Sequence, residues 1–204
     1  MVITDLDYND RKGKFILKIN GEKYILDYNN FEKFNISKGM EVDQELFDKI
    51  KNISNFETAF ETALNFISYK LRSSYEVRNK LLSKKFNHET IDKVLEKLED
   101  LKLIDDYSYC KIFINEKINS SDYSKRRIEN YLFKKGISKD IYKDYLENLY
   151  NYDLEYEKAS SIVDKKIRSW SKKYSGYQLK NKIITFLMQK GFSYDISKEI
   201  AGNY

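Results

Sequence analysis

The sequence predicts a mainly α protein, in which a small β-rich N-terminal module precedes three tandem three-helix repeats forming an elongated array. Three observations carry this expectation. Proline is absent from all 204 residues, and because proline costs about 3 kcal/mol inside a helix, helix can run almost anywhere along the chain. Beyond residue 53 the apolar residues recur at helical spacing in segments opened by Ser, Asp or Asn. These segments also repeat: Val77, Ile128 and Ile183 align, as do Leu81, Leu132 and Leu187, then Phe86, Ile137 and Phe192, and Lys84, Lys135 and Lys190. The steps are 51 and then 55 residues, the mark of a tandem helical array.

Residues 1–52 form the predicted β-rich module. Residues 2–8 and 14–26 are rich in β-forming side chains, and Asn20-Gly21 is a hairpin turn dipeptide. One helical turn is expected at Phe31 to Phe34, and a second chain turn at Lys38, Gly39 and Met40. Such a piece is too small to stand alone and should pack on the helices C-terminal to it. Asp43 is placed to cap a short helix through Ile50.

The first repeat, 53–104, should open where Ser54 and Glu57 spell a capping box. Phe56, Phe60, Ala63, Leu64, Ile67 and Leu71 then share one helical face. Ser73 with Glu76 spells another box ahead of Val77 and Leu81, and Asn87 starts a helix carrying Ile91, Val94, Leu95, Leu98 and Leu101. In the second repeat, 105–151, Asp105 and Asp106 open an apolar helix (Tyr109, Phe113, Ile114) and a polar Ser/Asp turn comes next. A basic helix begins at Lys125, Arg126, Arg127 and Ile128 and stops at Lys135, Gly136 and Ile137, after which Ser138 is placed to cap a third. The third repeat, 152–204, runs through Tyr156, Ala159, Val163, Ile167 and Trp170, is restarted by Ser175 with Gln178, and ends in a short helix from Ser193. Lys85 stands where the later repeats have Gly136 and Gly191. Lysine at positive φ is uncommon, so the first repeat is expected to stop by another route, with Asn87 in the strained position.

The order and spacing of the middle stretch resemble the RecX family, small regulators of the RecA recombinase. The resemblance rests on Asp105 and Asp106, Tyr109 and Cys110, Phe113 and Ile114, Lys117, Ser124, then Arg126, Arg127 and Ile128, Leu132, and Lys135, Gly136 and Ile137. Cys110 and Ser124 depart from the family's Ala and Gly, both small-for-small changes. The resemblance implies a non-enzymatic, monomeric protein that binds the RecA nucleoprotein filament. It would inhibit or modulate filament extension, strand exchange and ATP hydrolysis in recombination, DNA repair and the SOS response. ATP would belong to the partner, and no cofactor is implied.

The residues themselves offer little to catalysis. None of the seven glycines forms a phosphate-cradling loop. One His and one Cys cannot assemble an ordinary zinc site within the chain. His88 reads as an exposed residue at a helix start and Cys110 as a small core residue. Ser108 and Lys111 match a Ser-x-x-Lys pattern without its companion motifs, and Asp105 and Asp106 read as capping acids rather than a catalytic pair. The acidic start carries no signal peptide, the longest apolar run (Ile183 to Met188) is too short for a bilayer, and one cysteine forms no disulfide framework, so a cytoplasmic protein without membrane contact is expected.

The basic residues are the stronger lead. Residues 1–53 carry nine Lys/Arg and ten Asp/Glu, so the remainder, 28 against 22, bears a net +6 of the whole chain's +5 balance. Arg72, Arg78, Lys84 and Lys85 surround the second helix of the first repeat, and Arg126, Arg127, Lys134 and Lys135 that of the second; Lys180, Lys182 and Lys190 echo them in the third. The first eight are the candidate partner-binding residues. A solvated helix surface accounts equally well for any one of them; repetition in place is what distinguishes the set. Nine helices packed 8 to 10 Å apart would make a body on the order of 60 Å long, able to touch several subunits of a filament. Two alternatives stay open: a DNA-binding protein reading through basic helices of helix-turn-helix-like repeats, with direct DNA contact, and a helical scaffold for an unrelated protein.

Overall fold

Antiparallel pairing of three short strands begins the chain in the computed structural model, which describes residues 1–120 and 122–204. β1 (Ile3–Asn9), β2 (Lys14–Ile19) and β3 (Glu22–Asp27) form a sheet in the order β1-β2-β3. The β2–β3 turn lies at Asn20 and Gly21, with φ of 52° and 85°, the left-handed pair that a two-residue hairpin requires. The exposed edge of β1 is blunted locally. Asp5 and Asp7 each accept a hydrogen bond from the next backbone N–H, at 3.1 and 2.9 Å, so Leu6 and Tyr8 offer less to a foreign strand.

The rest of the chain is helical: α1 (Tyr28–Lys33), α2 (Gln44–Ser68), α3 (Ser74–Ser83), α4 (His88–Asp100), α5 (Asp106–Ser120), α6 (Lys125–Lys134), α7 (Lys139–Leu149), α8 (Tyr152–Trp170), α9 (Gly176–Gln189) and α10 (Tyr194–Gly202). The chain divides into two compact units, Met1–Ile104 and Asp105–Tyr204. Each holds two hydrophobic clusters.

In the first unit, α2 is one helix of 25 residues, where the sequence predicts a break and a restart at Ser54. Asp43 caps it, its side chain accepting from the Leu46 N–H at 2.7 Å. Ser54 has the composition of a cap but another use: it is buried, and its Oγ accepts the Ile25 N–H of β3 at 2.9 Å. Glu57 pairs with Lys14 of β2 instead of closing a capping box. Nonlocal partners on the sheet satisfy both side chains, so the helix has no reason to end. The boundary at residues 52/53 therefore falls inside α2, whose first half packs on the sheet through Ile50 and whose second half enters the three-helix core of Ala59, Ala63, Val77, Leu81, Ile91 and Leu98.

Two further expectations are corrected. Lys85 does adopt the left-handed conformation, with φ 66°, while Asn87 has φ −75° and caps α4 by accepting the Thr90 N–H. The first repeat thus stops as the others do. Ser138 and Ser175 occupy the residue before α7 and α9 but make no side-chain cap hydrogen bond; α9 begins at Gly176, φ 51°.

In the second unit, Ile114, Ile128, Leu132 and Leu146 centre one cluster, and Val163, Ile183, Leu187 and Ile200 the other. A joint of polar contacts ties them. Ser124, fully buried, donates its Oγ hydrogen to the Lys190 carbonyl at 2.9 Å. Lys158 Nζ donates to the Ile118 carbonyl at 2.6 Å, and Lys165 pairs with Asp122. Gly191 sits under Ser124 at φ 92°, and a Cβ there would lie 2.7 Å from Ser124 Oγ. Only glycine meets both the angle and the space. The expected Ser/Asp turn between α5 and α6 falls partly on residue 121, outside the described residues.

Candidate interaction surface

α6 buries Ile128 and Leu132, half-buries Lys125, Arg127, Glu129 and Tyr131, and exposes Arg126, Asn130, Phe133 and Lys134. Positions 126, 130 and 133 lie four and three residues apart and share one outward face, so Arg126, Asn130 and Phe133 are neighbours there, flanked by Arg127 and Lys134. The helix carries no acid in its first turn. Its one carboxylate, Glu129, is half-buried and stands at the flank of that face, three residues from Arg126 and four from Phe133; its charge raises the phenol of Tyr142, after burial, and the carboxyl of Glu155. Burial is the main cause for Glu155, with Lys125 opposing it.

Basic side chains at a helix N-terminus oppose the macrodipole, at a cost of roughly 0.3–1 kcal/mol each where exposed. α6 begins with three, Lys125, Arg126 and Arg127. Arg127 occupies the third helical position, where a carboxylate would complete a capping box with Ser124. Its guanidinium instead lies 4.0 Å from the centre of the Tyr123 ring. Hydrogen bonds from Tyr123 and then Arg127 hold the Tyr131 phenol below its usual range. Tyr123 and Tyr131 stack at 5.5 Å, and Lys117 lies over the rings of Phe113 and Tyr123.

Arg126, Arg127 and Asn130 form one wall of a cleft of about 510 Å³; Met188, Gln189, Lys190 and Gly191 at the end of α9 form the other. No carboxylate among the described residues lines it, and among them neither Arg126 nor Lys190 has an ion pair. Arg126 is exposed, and its planar guanidinium is suited to carboxylate or phosphate oxygens, which Arg can hold with two parallel hydrogen bonds; the Lys190 ammonium lies 5.6 Å from the centre of the Phe186 ring on its own helix.

The four candidates of the first unit have a different setting. Arg72 is 16% exposed in its side chain, pairs with Glu76 at 3.5 Å and lies 3.9 Å over the Phe66 ring. Its Nε is buried with no acceptor among the described residues. Arg78 pairs with Asp92 across to α4 at 2.6 Å. Lys84 and Lys85 are exposed at the stop of α3. In the second unit Lys134 is exposed and Lys135, the cap residue of α6, is half-buried. The structure therefore brings Arg126 and Arg127 together at one cleft with Lys190, and divides the remaining candidates between solvent and internal pairing.

Sequence reasoning passes over Phe133. The residue is 78% exposed, next to buried Leu132 and one step off the apolar stripe. The signal is available: the residue after the aligned leucines is apolar in each repeat, and Leu82 and Met188 are also exposed, at 36% and 48%.

The described residues hold no group of three or more His, Cys, Asp or Glu that could bind a metal. Burial, then the charges of Asp106 and Asp105, push the Cys110 thiol up to about 12, so it is not a nucleophile near neutral pH. Asp105 caps α5 through Tyr107 and Ser108, and those hydrogen bonds, Ser108's first, hold its carboxyl low. No helix among the described residues is long and apolar enough to cross a membrane.

Comparison with known proteins matches three family models. Residues 59–98 match the RecX first three-helix domain, 105–146 the second and 153–200 the third. A regulatory protein RecX of Finegoldia magna is 54% identical over the whole of both chains. One from Lactococcus lactis subsp. cremoris is 33% identical over 88% of this chain and 67% of its own. Among solved structures, a crystal structure of a regulatory protein RecX superposes with a TM-score of 0.79 at 23% identity over 98% of each chain, which bears on the fold. That of RecX from Lactobacillus salivarius gives 0.65 at 35% identity over 73% of this chain and 96% of the other.

Proposed function

The chain belongs to the RecX family of regulatory proteins, and from that premise we propose that it regulates by binding the RecA nucleoprotein filament and restraining filament extension, strand exchange and linked ATP hydrolysis. It does so as a non-enzymatic monomer, and the nucleotide belongs to RecA. The observation that carries this reading is the outward face of α6: Arg126, without an ion pair among the described residues, stands beside Arg127 and Lys190 in a cleft that no described carboxylate lines. A helix that keeps this charge against its own dipole is suited to an acidic partner surface, where complementary charge accelerates and orients docking more than it deepens affinity. Arg126, Arg127, Lys134 and Lys135 stand first among the binding residues. Lys84 and Lys85 are available at the stop of α3, whereas Arg72 and Arg78 must first leave Glu76 and Asp92.

The test measures ATP hydrolysis by RecA on single-stranded DNA with the purified chain added. Hydrolysis should fall with increasing chain. Arg126→Glu with Arg127→Glu should raise the concentration for half-maximal inhibition at least about tenfold, with far-ultraviolet circular dichroism unchanged. Inhibition undisturbed by the double reversal would remove α6 from the surface. Binding to bare DNA of equal strength, weakening steeply between low and moderate salt, would favour the DNA-reading alternative instead.

A further inference from the structure

Phe133 is the feature that anion binding leaves unexplained. A phenylalanine on a solvated helix face keeps its apolar area in water, area whose burial by a partner is favourable; Phe133 is 78% exposed and shares a helix face with Arg126 and Asn130, which line the charged cleft. We propose that Phe133 is an anchor that inserts into an apolar pocket of a partner protein while carboxylates at the rim of that pocket enter the α6–α9 cleft against Arg126, Arg127 and Lys190. This rests on the reading of α6 as a docking helix and adds the chemistry of what it docks on.

Two observations select a protein surface over a nucleic acid. A single-strand binder offers successive rings whose faces are free for bases to stack upon. The other aromatic side chains around α6 have committed theirs: Tyr123 lies against Tyr131 and Arg127, and Phe113 against Tyr109, Tyr131 and Lys117. Phe133 is a lone ring in no aromatic or cation contact among the described residues. One exposed aromatic beside an unpaired arginine is the composition of a protein-interface hot spot, in which a central ring is buried and charged groups at the rim set the orientation. The cleft wall also supports the assignment. Met188, the residue of α9 aligned with Phe133, lines that wall and is 48% exposed, so the cleft presents thioether as well as cation. Ser124 and Gly191 fix the spacing between its walls through the Ser124–Lys190 hydrogen bond.

The experiment measures binding of the full chain to RecA assembled on single-stranded DNA, by fluorescence anisotropy of labelled chain, with bare single-stranded DNA in parallel. Phe133→Ala should weaken filament binding about 10- to 100-fold. Phe133→Leu, which keeps an apolar knob, should restore most of the loss. Thermal unfolding should be unchanged in both, because the ring stands clear of the core. Wild-type binding that Phe133→Ala leaves intact would overturn the anchor while leaving the filament reading in place. Equal loss on bare DNA would overturn the protein pocket in favour of base stacking. Absence of any filament binding by the wild-type chain would overturn the reading beneath and the anchor with it.

Discussion

α3 and α6 are built to the same frame and differ in charge, Glu76 standing against Arg78 and Lys80 in α3 and Glu129 against Lys125, Arg126, Arg127 and Lys134 in α6. Each has ten residues, a fully buried serine as its cap (Ser73, Ser124), two buried aliphatic side chains a turn apart (Val77 and Leu81; Ile128 and Leu132) and a lysine at its end. In each the chain then turns through a left-handed residue, Lys85 or Gly136, and the next N–H returns to the carbonyl of the second core leucine. At the third helical position they part. Glu76 completes a capping box with Ser73 and pairs with Arg72, whereas Arg127 does neither. Two residues on, Arg78 is answered by Asp92, while the aligned position holds Glu129, half-buried. The buried positions fix the fold of the repeat, and the third helical position decides whether a helix consumes its own charge or keeps it for something else.

The sharpest way to break the comparison is at the stop that all three repeats share. Lys85, Gly136 and Gly191 hold the same left-handed place, at φ of 66°, 71° and 92°. Lysine stands at the first, where it is exposed. Gly191→Ala should be far worse, since its Cβ would meet Ser124 Oγ at 2.7 Å. Strain and overpacking together should cost about 2–3 kcal/mol, read as a lower urea midpoint, with the Ser124–Lys190 joint opened. A loss no greater than the strain of φ alone, about 1 kcal/mol, would mean that the joint yields freely.

Lys85→Gly is the mirror of that change. It relieves a left-handed lysine, against a larger entropy for glycine in the unfolded chain, and should raise stability by about 0.5–1 kcal/mol. An unchanged midpoint would show that Lys85 recovers its strain through contacts of its long side chain.

The same pair of helices shows how far the sequence can be read. Core positions are legible because apolar residues at helical spacing have one use, and Ser73-x-x-Glu76 because both its partners are local. Ser54 and Glu57 have the same spelling, yet Ile25 and Lys14, some thirty to forty residues away, claim them; no local rule sees the sheet arrive. Charge is legible as composition but not as pairing. Arg72, Arg78, Arg126 and Arg127 look alike in the chain, and only the fold separates those with carboxylates from Arg126, which has none among the described residues. Phe133 is hidden by the usual habit of phenylalanine, since an aromatic beside a core leucine reads as more core.

The finest test exchanges the one residue in which the two helices differ most. Arg127→Glu would give α6 the capping box of α3: the new carboxylate can accept the Ser124 N–H and suits the helix dipole, a gain of about 1 kcal/mol. Against this, the guanidinium's place 4.0 Å over Tyr123 and its hydrogen bond to Tyr131 are lost, together worth roughly 1 kcal/mol. The balance should leave stability within about 0.5 kcal/mol of the unaltered chain. Binding should change, because a negative charge would now line the cleft beside Arg126 and Lys190, and inhibition of RecA hydrolysis should weaken at least about tenfold. An unmoved urea midpoint beside a weakened inhibition curve is the signature of a residue that holds charge for a partner. If stability and inhibition fall together, Arg127 serves the fold as Glu76 does, and the distinction between α3 and α6 disappears.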